Sequence, residues 1–150
     1  MSMRILILPL YPSKMATNPH IFTSPVSVIL PRKTKADRTL YLNLNAYRNW
    51  HHSISNDAKQ RYTEAMVSQM DGVVFSEKIH IIYQLYVGDK RARDKGNVLS
   101  IIQKFFLDSL VHYGCIPDDR DVYIGREIFE EPKYDKGRAR VEIMVFTSKI

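Results

Sequence analysis

Four aspartates and one lysine stand where hydrolysis of a phosphodiester could use them: Asp94, Lys104, Asp118, Asp119 and, two residues further on, Asp121. That reaction needs charge neutralised on the transferring phosphoryl group and a water made nucleophilic, and a divalent metal does both. Magnesium takes oxygen ligands, usually one or two protein carboxylates with waters and substrate phosphate completing the shell. Aspartates in a basic surround are therefore a credible magnesium site. Lys104 is the candidate for stabilising negative charge as it develops on the phosphate or the leaving oxygen. A purely structural alternative stands beside this one. In it Lys104 and Asp108 form an i,i+4 surface pair worth roughly a few tenths of a kcal/mol, and the aspartates are caps and turn formers.

The element that must position these groups is a helix expected over residues 97–113. Val98, Leu99, Ile101, Ile102, Phe105, Phe106, Leu110 and Tyr113 recur at intervals of three and four, the spacing of a core-facing stripe. Asn97 reads as its N-cap and Gly114 as its stop. Asn97, Ser100, Lys104 and Asp108 fall on a narrow polar stripe roughly opposite the apolar one. Asp94 then lies just before the helix, and Asp118 and Asp119 just after the turn that follows it. Strands are expected over residues 4–8, 26–30, 39–45, 79–87, 122–129 and 138–146, with a second helix over 56–70. The layout is α+β, a mixed β-sheet covered by two main helices. Residues 130–137, with Pro132 and Gly137, read as the loop of a hairpin joining the last two strands.

The charge balance points to a polyanion. Twenty-two Lys and Arg against sixteen Asp and Glu give +6, and several acids are already committed to the cluster from Asp118 to Asp121. Basic residues group at Arg32, Lys33, Lys35 and Arg38, at Lys90, Arg91 and Arg93, and at Lys133, Lys136, Arg138 and Arg140. Each group read alone is a solvated turn, but the middle one adjoins Asp94. A chain of 150 residues with 45% hydrophobic content is expected to form one domain over residues 1–150. No apolar run approaches the roughly 18 residues of a membrane span, and residues 1–9 are too short for a signal segment with a cleavage site, so a cytoplasmic location is expected. Cys115 is the only cysteine and reads as a buried structural thiol. His51 and His52 lack a third partner at metal-ligand spacing and read as structural or DNA-contacting. Tyr47, Arg48 and Trp50 could stack on unpaired bases, with core packing an equal alternative. Asn43 and Asn45 alternate with Leu42 and Leu44, which gives an expected strand an amide-bearing face.

Three pieces of the chain carry a family resemblance. Asp94-Lys95-Gly96-Asn97, Lys104, Leu107-Asp108-Ser109-Leu110 and Asp118-Asp119 resemble the central block of RusA-type Holliday junction resolvases. That family carries an Asp-x-Asp-Asn element, a helical lysine, a Leu-Asp-Ala-Leu-like tract and an Asp-Asp pair after a short turn. Leu8-Pro9-Leu10-Tyr11-Pro12-Ser13 is similar to its opening strand and loop. The stretch from Leu42 to His51 is similar to the phage-borne branch. The resemblance implies a RusA-like fold and a crossover junction endodeoxyribonuclease, a homodimer that resolves branched DNA by paired nicks in a bacterial host cell. It implies magnesium as cofactor, with manganese as a substitute. Asp94, Asp118 and Asp119 would serve the metal, Lys104 would be essential for cleavage, and Lys90, Arg91, Arg93 and Arg48 would contact DNA. Two departures stand out. Gly96 occupies the position of the second carboxylate, for which Asp108 or Asp121 could substitute. Asp94 and Asn97 also sit four residues further from Lys104 than the family pattern has them. The alternative reading is therefore a branched-DNA-binding protein of the same fold with weakened or absent catalysis.

Overall fold

The computed structural model describes residues 18–91 and 93–148. The strand expected over residues 4–8, and the opening motif at residues 8–13, lie outside them. In chain order the elements are β1 His20–Ser24, β2 Ser27–Leu30, β3 Arg38–Tyr41, α1 Leu44–Arg48, α2 His52–Ala65, α3 Val67–Met70, β4 Lys78–Val87, α4 Lys95–His112, β5 Ile124–Phe129, β6 Lys133–Tyr134 and β7 Arg140–Ser148. The α+β class with a mixed sheet is as the sequence reading expects.

β4 organises the molecule. Its sequence KIHIIYQLYV is buried from Ile79 to Leu85 without interruption, the pattern of a strand flanked on both sides rather than one at an edge. β7 pairs with it antiparallel, from Lys78↔Ser148 to Tyr86↔Arg140. β5 and the two-residue β6 pair with it in parallel. The main order is β1-β7-β4-β5, with β2 and β3 forming a separate ladder. β5 and β7 therefore do not form the expected hairpin, because β4 lies between them. The physical reason is the crossover: β4, α4 and β5 make a β-α-β unit whose parallel strands need a long connection.

α4 packs its apolar stripe on this sheet, with Leu99, Ile102, Phe105, Phe106 and Leu110 each at most 1% exposed. Phe106 meets Phe22 of β1 and Tyr83 of β4 edge-on, at centroid distances of 5.3 and 6.2 Å. Tyr83 in turn meets Phe129 of β5 at 5.4 Å. Burying an aromatic ring of this kind contributes about 3 kcal/mol relative to exposure. The helix ends as its sequence predicts. Gly114 takes φ +71, its N–H reaches Val111 O at 3.0 Å, and Cys115 N–H reaches Leu110 O at 2.8 Å, the pair of bonds that closes a glycine-terminated helix. Its start differs: Asp94, not Asn97, is the N-cap, accepting from Gly96 N–H at 2.9 Å.

Two more boundaries move because side chains cap backbone groups. Asn43 accepts from Ala46 N–H at 2.8 Å and starts α1, so the expected strand over 39–45 stops at Tyr41 and has no alternating amide face. His51 Nδ1 accepts from Ser53 N–H at 3.3 Å and caps α2. That begins the helix four residues before the expected position 56, and it breaks at Met66 before the short α3. β1 was not foreseen from the sequence. Its alternation is short, with only Phe22 and Ser24 buried, and Ser24 Oγ is held by the buried Tyr62 hydroxyl at 2.7 Å.

Candidate nucleic-acid interface

The C-terminal end of β4 opens into a cleft of about 580 Å³, within the usual range of roughly 300–1,000 Å³ for ligand sites. Leu42 and Leu85, each no more than 2% exposed, give it an apolar base, and Val98 from the first turn of α4 closes one side. Arg91 and Arg93 stand at its rim. Both are aimed by Asp89. Arg93 forks onto the two carboxylate oxygens at 2.7 and 2.9 Å, while Arg91 gives its backbone N–H at 2.9 Å and its guanidinium at 3.2 Å. The Arg93 guanidinium, then the Arg91 amide and side chain, hold the Asp89 carboxyl well below the usual carboxylate range. The bidentate arrangement fixes the guanidinium plane of Arg93; Nη1 donates further to Arg91 O at 3.2 Å, so Nε and the outer Nη2 hydrogen are the donors left for an anion. Lys90 lies over the Tyr134 ring at 5.5 Å.

Asp94 sits beside this cleft as the exposed cap of α4. Lys95, the next residue, reaches Phe129 O at 3.3 Å and Glu131 at 2.9 Å, tying the start of α4 to the end of β5. A Cβ at Gly96 would lie 3.2 Å from Asp94 Oδ1, a tight contact that a small turn of the Asp94 carboxylate relieves.

Asp118, Asp119 and Asp121 lie at the far end of the same unit. Tyr123 O accepts from Ile79 N–H at 2.9 Å, and Ile124 is in register with Ile79, so this loop adjoins the start of β4, whereas Asp94 lies beyond its end. Eighteen helical residues separate the two groups, a span of about 27 Å along the axis. Asp118 is engaged locally: Arg120 donates to it from Nε at 2.9 Å and from its backbone N–H at 2.9 Å, and these bonds, the side-chain one first, lower its carboxyl below the ordinary value. Asp119 and Asp121 are exposed. Lys104 is exposed too, ten residues on from Asp94 and about 15 Å along the helix. Asp108 pairs with Lys59 of α2 at 3.0 Å instead of with Lys104. Among the described residues, no group of three His, Cys, Asp or Glu is placed to hold a metal ion within one chain. The residues named for a magnesium site therefore do not meet in a single subunit, and neither Asp108 nor Asp121 lies beside Asp94 of its own chain.

The remaining candidates resolve as structure. Tyr47 packs edge-on against Trp50 at 5.8 Å and against Phe105 of α4 at 6.3 Å, so these rings face the core. Arg48 ends α1, is exposed, and does not line the cleft. Cys115 is buried, donates to Met70 O at 3.3 Å, and has its thiol pushed up by burial. Sequence reasoning missed Asp89, which aims both rim arginines, and Tyr41 and Tyr86, which line the cleft. The available signal was the spacing of Asp89 to Arg93, an i,i+4 opposite-charge pair just past a strand. No helix among the described residues is long and apolar enough to cross a membrane. No family model matches the chain, and no curated protein matches it either.

Proposed function

We propose that the chain is a magnesium-dependent, structure-selective endonuclease that resolves four-way junctions and other branched DNA by paired nicks, acting as a homodimer. The reading rests on the likeness to RusA-type resolvases and on one geometric observation: Asp94 flanks an arginine-rimmed cleft while Asp118 and Asp119 are presented at the opposite end of α4. Two chains related by a two-fold axis, with their α4 helices antiparallel, bring Asp94 of each against Asp118 and Asp119 of the other, twice over. Such an arrangement places two equivalent incisions on a substrate that is itself two-fold.

Incubating the protein with a synthetic four-way junction and magnesium tests the activity. Mixing Asp94→Asn with Asp119→Asn chains tests the shared site. Each variant alone is inactive. In an equal mixture half of the dimers are mixed, each with one intact site, which restores about one quarter of the parental incision rate as single nicks. No restoration from two individually inactive, folded variants rules out a site shared between chains. Gly96 favours a second reading, a junction-binding protein of the same fold that does not cut. Tight junction binding with no incision in either magnesium or manganese selects it.

A further inference from the structure

Tyr41 closes β3 with 62% of its surface exposed, on the wall of the cleft. Tyr86 lines the same space, and the Arg140 guanidinium sits 4.1 Å from its ring centroid. Arg140 is itself fixed by Asp135 at 2.7 Å and Glu142 at 3.3 Å, so this part of the wall is rigid. Leu42 and Leu85 line the same cleft as the two rings, as do Arg91 and Arg93. Asn43 spends its Oδ1 on the Ala46 N–H at 2.8 Å and keeps its amide hydrogens for a ligand.

An apolar slot with a free aromatic face, an amide donor and two aimed guanidinium groups suits a flat, neutral, hydrogen-bonding ring attached to an anion. A nucleobase on a phosphodiester has that chemistry, and stacking on an aromatic side chain accepts any base. A base still paired in a duplex cannot enter, since both of its faces are covered by neighbours. We propose that the cleft takes one unpaired nucleotide of a DNA strand, with Tyr41 stacking on the base and Arg91 and Arg93 meeting the adjoining phosphate. This rests on the nucleic-acid half of the reading above, not on cleavage. It supplies a reason for structure selectivity: a branch point offers unpaired bases where a linear duplex does not.

The test uses the whole protein in EDTA, so that binding is read without cutting. Two DNAs of the same sequence are compared, one fully paired and one with a single unpaired 2-aminopurine nucleotide. The expected result is tighter binding of the second, with 2-aminopurine emission quenched on saturation. Tyr41→Phe retains the preference. Tyr41→Ala weakens binding of the unpaired-base DNA by about five- to a hundredfold and leaves affinity for the fully paired duplex unchanged. Equal affinity of the parent for both DNAs overturns the proposal, as does an equal loss on both in Tyr41→Ala. The two readings fail separately. Junction cleavage without a preference for unpaired bases removes this inference alone, and the preference without cleavage removes the nuclease alone.

Discussion

His80 has surroundings that disfavour its cationic form. It is 7% exposed, its Nδ1 accepts the Arg126 backbone N–H at 3.0 Å, and its ring lies against Gly125 so closely that a Cβ there would collide with it. With Nδ1 accepting, the ring hydrogen is on Nε2, which is buried with no hydrogen-bond partner among the described residues. Adding a second proton would break the bond to Arg126. Burial first, then the charges of Lys78 and Arg126, lower the imidazole below its ordinary value. Because the folded state binds the proton more weakly than the unfolded chain, protonation favours unfolding. This contribution is full above the ordinary histidine value of about 6.5 and is lost as pH falls below it, levelling once the lowered folded value is passed. Urea denaturation across that range should show a parent that loses more stability on acidification than His80→Gln. Parallel curves for the two proteins would refute the assignment.

At the scale of elements, Asp94 separates capping from charge. Asp94→Ala removes the acceptor for Gly96 N–H and should cost about 1 kcal/mol in chemical denaturation, whereas Asp94→Asn keeps an acceptor and should cost little. Equal losses from both would mean that the carboxylate charge, not the cap, stabilises the helix start. The Asn variant is therefore the right one for testing catalysis. α4 itself was legible because eight apolar residues kept one spacing through five turns and Gly114 ended it. Its first turn was not, because Asp94, Gly96 and Asn97 all suit a helix start and only the observed bond decides among them. α1 was hidden for a related reason: Leu42 to Asn45 alternates like a strand, and one side-chain bond from Asn43 turns it into a helix. The hairpin expectation failed because adjacency in sequence gives no sign that a third strand lies between two others. The cleft was partly legible, through Arg91, Arg93 and Asp94. The separation of Asp94 from Asp118 follows from the helix between them, whose length sets their distance along the chain and in space alike.

For the whole molecule, with its charge of +6, the proposed DNA binding should weaken with salt, and only arginines and lysines that meet phosphate set the slope. Replacing Arg91 by Gln should lower the steepness of log affinity against log salt by about one. Lys33→Gln, in the loop at the end of the β2–β3 ladder away from Tyr41 and Val26, should leave it unchanged. Titrations at several potassium chloride concentrations distinguish the two. Equal slopes for both variants would place the DNA elsewhere.

The pairing of β7 reaches across nearly the whole chain. It joins β1 through His20↔Val145 and β4 through Lys78↔Ser148, so the two earlier strands share a neighbour that the ribosome makes more than fifty residues after the second of them. During translation β1 and β4 must wait with apolar edges uncovered, and the central sheet cannot close until β7 has left the exit tunnel. β7 is thus the last-made of the described strands and the one that joins the other two.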